Sequence, residues 1–525
     1  MTRRLLQTTL AFGFASAAAA QEHVHSRDTA EKLGTVHFPT SCSASAARQL
    51  DRAVAFVHSF EFGAAIKGFN EVLAVDSSCS MAHWGIALSR WSNPMAAGNR
   101  SPEQLRQGRL AADAAKRSWT RASERERGYI NAVAQLYDDF EHRDQRARVV
   151  AYERAMGELA TRQSADTEAT IFYAVSLVAS ALPTDKTYAN QRKAGGILEA
   201  LWAKQPNHPG LAHYIIHAYD FPPLAREATT AARRYASIAP SAAHALHMPS
   251  HTFTLIGMWR ESIDTNLRSI EAAMTSGSIA EALHAWDYAE YAYLQIRRDS
   301  AAKSIVEKLP ALAAPFDPNA ITGAAPGSAG VFALAAIPAR FALERRSWAE
   351  AAALEPKSSA FPWTEAMTYF ARALGASRIG DLTKARGSLD SLSAIRDRLA
   401  AKGEAYWSEQ VAIQHLGARA WLELAEGQKN LALTHMREAA TREDASEKNA
   451  VSPGSVAPAR ELLGEMLTEL HRPAEALSEY RAALRKEPNR YRAIAGAMRA
   501  AAAAGDRKSE AKFRAQLNAL SKRSD

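Results

Sequence analysis

The sequence predicts an all-α chain built as a right-handed solenoid of antiparallel helix pairs, and three observations carry that prediction. The 525 residues exceed what one hydrophobic core usually organises, so the chain is several domains or one extended array. Segments rich in Ala, Leu, Glu and Arg, with only 27 Gly and 21 Pro, favour helices, and no stretch alternates apolar and polar residues as a half-buried strand would. Landmarks also recur at an interval of about 34 residues, the signature of stacked helical hairpins.

Residues 1–20 hold Arg3 and Arg4, then an apolar run, then Ala18, Ala19 and Ala20. This is the anatomy of a cleaved export signal, which makes the expected product periplasmic or secreted and starts the mature chain near Gln21. No later stretch reaches the ~18 apolar residues needed to span a bilayer. Residues 21–54 form an N-terminal segment ahead of the first repeat. Cys42 and Cys79 are the 2 cysteines of the chain, and an even count in an exported protein points to one disulfide between them. The formal charge is +8, but the basic residues are dispersed among acidic ones without interleaved aromatics, which argues against a nucleic-acid surface.

The repeat itself is read from its phase. Pro206 and Pro240 end helical patterns 240 − 206 = 34 residues apart, and the turn positions Arg346 and Gly380, like His471 and Gly505, are also 34 apart. Each turn precedes a helix carrying a small residue about five places on: Ala351, Ala385, Ala476 and, one place late, Ala511. Small residues there let two helices approach closely.

The segments FEFGAAIKGFNEVLAVDSSCSMAHWGIALSR and HRPAEALSEYRAALRKEPNRYRAIAGAMRAAAAAGD resemble the tetratricopeptide repeat family in their order of turn, small, aromatic, alanine and proline positions. HPGLAHYIIHAYD, HMPSH and SPGSVAPARELLGE resemble a group of exported bacterial repeat proteins, a likeness that brings no activity with it. The expected organisation is a repeat array over residues 55–310, an Ala-, Pro- and Gly-rich linker over 311–330, and a second array over 331–525. Residues 100–182 show helical pairs without a clean phase. The insert NAVSPGSVAPA, residues 449–459, displaces the phase, since Gly427 to His471 is 44 residues, ten more than one repeat. Such inserts project from one face of a solenoid and often carry function.

Six of the 16 histidines fall between His208 and His251. His213 and His217 lie about 40° apart on a helix, and His244, His247 and His251 span about 60°, so each set forms one stripe. Because 247 − 213 and 251 − 217 both equal 34, the stripes occupy matched positions in successive repeats. The resemblance implies that such stripes line a concave groove. Helices roughly 8–10 Å apart can bring facing imidazoles to ~2.0–2.1 Å from a shared metal. His213, His217, His247 and His251 are the expected donors, with His244 or Asp287 completing the set. The next repeat brings His284, Asp287 and Tyr291 into line, and His284, Tyr291 and His208 are further ligand-binding candidates, His208 being also a plausible helix-start residue. Imidazoles at i and i+4 suit Zn, Cu, Fe or Ni, whereas Ca or Mg would want oxygen ligands that are scarce here.

Two other readings stand beside metal binding. One is a scaffold whose concave groove holds a peptide or partner protein; the other is an enzyme in which the metal activates water or oxygen, with Tyr291 or Asp287 as acid or base. No G-x-S-x-G elbow, phosphate loop, dinucleotide fingerprint or H-E-x-x-H is present, so no catalytic residue is assigned. His58 and His83 read as packing within the first repeat, Pro249 as a kink in the second stripe, and His217 and His251 as groove residues whose loss would open no core cavity.

Overall fold

Among the described residues every regular element is helical, with 25 α-helices and no strand. The chain is an all-α helical-repeat solenoid in which successive helices pack as hairpins. The computed structural model describes residues 31–96 and 98–522; the expected export signal, with His23 and His25, lies outside the described residues. No described helix is long and apolar enough to cross a membrane.

The turns explain the period. Arg346, Gly380, Gly427, His471 and Gly505 all adopt positive φ, between 57° and 83°. After four of these turns the next amide reaches back five residues, Ser347 to Ala342, Asp381 to Ala376, Arg472 to Leu467 and Asp506 to Ala501, each at 2.9 Å. That pairing satisfies a carbonyl the helix end would otherwise orphan, so the same left-handed residue recurs once per hairpin. Ala351, Ala385 and Ala476 are fully buried against their partner helices. Ala511 is exposed, and Phe513 takes the inward position in that last helix.

Residues 100–182 lack this signature because their hairpins close differently. Ser101, Ser123, Asp144 and Asp166 cap the helices Pro102–Arg117, Glu124–Gln135, Gln145–Arg162 and Thr167–Ser180 with their side chains. Such caps serve helix starts, as Asp381 does after Gly380 later in the chain; what this stretch lacks is the recurring left-handed residue, since Asp139 alone takes positive φ there, so no repeated landmark marks the phase.

The N-terminal segment runs across several repeats rather than standing apart. The Thr35 amide donates to the Asn207 carbonyl at 2.9 Å, Phe38 stacks on Trp84 with ring centroids 5.2 Å apart, and a disulfide joins Cys42 to Cys79. The expected linker is partly helical, since Asp299–Ala313 runs into it and Gly327–Glu344 begins within it. From Lys32 the chain forms one unit, with its largest apolar clusters centred before and after that stretch.

The solenoid curls until its C-terminal repeats meet its N-terminal ones. The Trp259 indole donates to the Asn489 carbonyl at 2.9 Å, and Lys448 meets Asp220 at 3.0 Å. Gly257 marks how tight this contact is, because it holds φ +72° and a Cβ there would sit 2.3 Å from the Pro488 carbonyl oxygen. The insert after Lys448 therefore lies over the histidine repeats, where the Tyr288 hydroxyl donates to the Ser452 carbonyl at 3.0 Å.

Candidate functional site: two buried histidine triads

Three short helices and one long one carry the histidines. His213 and His217 sit on Pro209–Ala218, His244 and His247 on Ala243–His247, His251 on Pro249–Leu255 and His284 on Ile279–Gln295. The expected kink is real: Met248 ends one helix and starts the next, and Pro249 occupies the first turn of the second. Every residue of the three short helices is buried, so the row lies in the interior and not on an open groove. A helix that is covered on all sides is one that other chain encloses; here the insert and the C-terminal repeats do so.

The structure regroups the row. His213, His217 and His244 form one triad whose candidate donor atoms lie within 4.8 Å of one another, and His247, His251 and His284 form another of the same kind. The four histidines expected to share one metal, His213, His217, His247 and His251, are thus divided two and two between the triads, each completed by a histidine from a neighbouring helix.

Hydrogen bonds fix most of the tautomers. His213 Nδ1 lies 2.7 Å from the His58 carbonyl, which can only accept, so Nδ1 carries the proton. His244 Nδ1 donates to the Glu281 carboxylate at 3.0 Å. Both Nε2 atoms therefore present lone pairs, and the Nε2 atoms of His213, His217 and His244 are all buried without a hydrogen-bond partner. In the second triad His247 Nδ1 donates to Asn266 Oδ1 at 2.7 Å, an oxygen whose orientation is set because Asn266 Nδ2 donates to the Ser262 carbonyl. His251 Nδ1 donates to Asp220 at 2.9 Å. Ligating histidines are commonly held in this way, the far nitrogen anchored by a carbonyl or carboxylate while the near one faces the metal.

Electrostatics keep these rings neutral. Burial, followed by the neighbouring His244, takes His217 down to about 3, and burial takes His247 to about 4 despite Glu281 and Asn266. His213, His251 and His284 are also held well below the ordinary value, each by burial first, then by His217 and His244 for His213, by Lys448 and His247 for His251, and by His247 and His251 for His284. Burial alone would raise the Glu281 carboxyl, but His244 outweighs it and holds it at about 2. At neutral pH burial thus keeps His213, His217, His247, His251 and His284 uncharged, while the Glu281 carboxylate is ionised.

Other expected residues go elsewhere. Asp287 is with neither triad: it lies 2.6 Å from the Arg340 guanidinium, which also holds Glu290 at 3.0 Å. Asp287 lies only about 60° around the helix from His284, so it is the pull of the Arg340 guanidinium that keeps its carboxylate out of the triads. The Tyr291 hydroxyl donates to Glu487 and accepts from Arg490, each at 2.8 Å. His208 joins His58 around Glu168, with His58 Nε2 at 2.8 Å and His208 Nε2 at 2.9 Å from the carboxylate. In that third group the donor nitrogens are already spent on the carboxylate, so it holds no convergent lone pairs; it fixes the His58 backbone that anchors His213.

Sequence reasoning missed Asn266, the loop residue Asp220, and Glu281 and Tyr288 from the helix of His284, all of which support the triads; only the spacing of Glu281 and Tyr288 around His284 hinted at them. It also missed a cavity of about 470 Å³ lined by His217, Asp220, Lys448, Tyr406 and Tyr188, which reaches the first triad at the His217 ring alone.

Compared with family models and with curated proteins, the chain matches none. Among solved structures it is similar to the human IFIT1 dimer with PPP-AAAA, at 9% identity over 84% of this chain and 90% of that one, TM-score 0.38. It is also similar to yeast Tom70, at 12% identity over 88% of this chain and 96% of that one, TM-score 0.34. Likeness at this level says nothing about a ligand.

Proposed function

We propose that this is an exported helical-repeat protein that holds a transition metal on His213, His217 and His244. Two observations carry the reading together: one ring nitrogen from each of these three buried histidines lies within 4.8 Å of the others, and all three Nε2 atoms are buried without a hydrogen-bond partner. Leaving a polar nitrogen buried and unpaired costs about 1–3 kcal/mol, so three of them on rings this close need a common partner, and a cation supplies it. All-imidazole donors select Zn, Cu, Ni or Fe over Ca or Mg. Three protein donors leave a fourth position open, as in catalytic sites and not in closed structural ones.

The cavity beside His217 favours a second reading, a metal-dependent enzyme or carrier whose small ligand reaches that open position. A role in binding protein partners rests on the repeat architecture alone, since the chain's own insert covers the histidines. The test is elemental analysis of tag-free protein isolated from the periplasm of an expressing bacterium. Near-stoichiometric zinc, copper, nickel or iron supports the proposal; metal-free protein that takes up none of these on dialysis refutes it.

A further inference from the structure

The second triad reproduces the first in its supports as well as its spacing. In each triad one imidazole is held by a carboxylate, His244 by Glu281 and His251 by Asp220. One is held by a neutral carbonyl oxygen, His213 by His58 and His247 by Asn266. The remaining member of each, His217 or His284, has a buried nitrogen with no partner. The two sites use the same three kinds of support and are 34 residues apart at two of their three histidines, although the carboxylate falls on His251 in the second and on His244, not on the phase partner His217, in the first.

A contact inside the second triad points the same way. His247 Nε2 and His251 Nε2 lie 3.1 Å apart, yet the Nδ1 protons of both rings are committed to oxygen acceptors. Two lone pairs at that distance repel unless something positive sits between them. An ion ~2.0–2.1 Å from each nitrogen would subtend roughly 100°, close to tetrahedral.

The triads abut. Ring centroids across the boundary are 6.1 Å apart for His217 and His251 and 5.8 Å for His244 and His247, against 6.3 Å for His217 and His244 within the first triad. We infer that His247, His251 and His284 hold a second metal ion, and that the two ions form one dinuclear centre with six histidine donors. This rests on the reading that the first triad binds metal. Asp220 and Glu281 provide one buried negative charge beside each ion, and the cavity at His217 admits a small bridging ligand such as water or hydroxide. Paired ions about 3.5–4 Å apart are a common device for activating such a ligand.

The test loads the purified full-length mature chain with Cu(II), removes excess by desalting, and measures copper per chain together with the integrated electron paramagnetic resonance signal. Two coppers per chain with a signal well below that of two isolated ions, because neighbouring spins couple, is the expected result. His284→Ala should lower the copper content twofold and restore a full one-ion signal. One copper in the wild type overturns the second site while leaving the first; none overturns both. Two coppers with a full two-ion signal overturn the dinuclear arrangement, as does undiminished copper in folded H284A. Should H284A fail to fold, the wild-type stoichiometry and spin coupling still decide.

Discussion

Glu281→Gln should cost metal affinity far more than it costs the fold. The Glu281 carboxylate is 1% exposed and uses both oxygens as acceptors, one from His244 Nδ1 at 3.0 Å and the other from the Ala325 amide at 2.8 Å. Glutamine keeps the shape but offers only one acceptor. If its oxygen stays on Ala325, its amide group faces His244 Nδ1, and the imidazole must shift its proton to Nε2 to accept that bond. The lone pair aimed at the metal is then gone. Supporting-shell replacements of this kind cost roughly 10–100-fold in affinity, or about 1.4–2.7 kcal/mol. The metal-free fold loses a charge-assisted hydrogen bond worth about 1.5–3 kcal/mol, which a long array with its own neighbour contacts survives. Competition with a chromogenic chelator reads the affinity, and circular dichroism melting of the metal-free protein reads the fold. The exposed Glu355→Gln serves as control. Unchanged affinity in a folded E281Q variant would refute the assigned tautomer and with it the first metal site.

Three further outcomes test other parts of the structure. Reducing the Cys42–Cys79 bridge, or replacing both with serine, should lower stability by about 4 kcal/mol in the chain-entropy model, because the linked residues are 37 apart; an unchanged denaturation midpoint would show that the bridge constrains little. Glu290 is pushed up to about 8 from an ordinary 4.5, by burial, despite the lowering effect of Arg340. The folded state then binds a proton that the unfolded state lacks between those values. Stability should fall as pH rises through that window, by at most about 1.4 kcal/mol per pH unit, and Glu290→Gln should flatten the fall; parallel slopes in denaturant titrations at pH 5 to 8 would contradict it. Gly257→Ala forces a side chain into a left-handed turn against the Pro488 carbonyl, so it should destabilise by more than about 1 kcal/mol and speed proteolysis in the 447–490 stretch, whereas wild-type resistance would mean that the C-terminal contact tolerates displacement.

The period and the helix-pair architecture were legible in the sequence because each hairpin from Arg346 onwards closes with the same left-handed residue, and a left-handed turn leaves a trace in Gly or in a repeated position. Across residues 100–182, where Asp139 alone takes positive φ, the same architecture leaves no repeated trace. Histidine spacing found all six triad residues, because i and i+4 geometry and the 34-residue phase are both properties of the helix. It paired them wrongly, because which helix faces which depends on packing that spacing does not encode. Asp287 shows the limit most clearly. It sits in register with His247 on paper, yet the buried guanidinium of Arg340, from a helix some fifty residues on, claims its carboxylate.

Burial changes what the histidines must be doing. On an open groove, His217 and His251 could be traded for alanine at little expense, since water would satisfy whatever they left. At 2% exposure each, alanine instead opens an internal void, and for His251 it also leaves Asp220 with Lys448 alone, so fold and metal binding would fail together and the variant would separate nothing. The same burial makes the metal-free site expensive to maintain. The three Nε2 atoms of the first triad and His284 Nδ1 lie without partners, and at about 1–3 kcal/mol apiece they oppose folding by roughly 4–12 kcal/mol, comparable with the entire stability of an ordinary domain. Leucine at these positions would remove most of that penalty. A chain that keeps neutral, tautomer-fixed imidazoles there, and folds its own insert over them, sustains a cost that bound cations would relieve, and this links the enclosure of the site to its proposed chemistry.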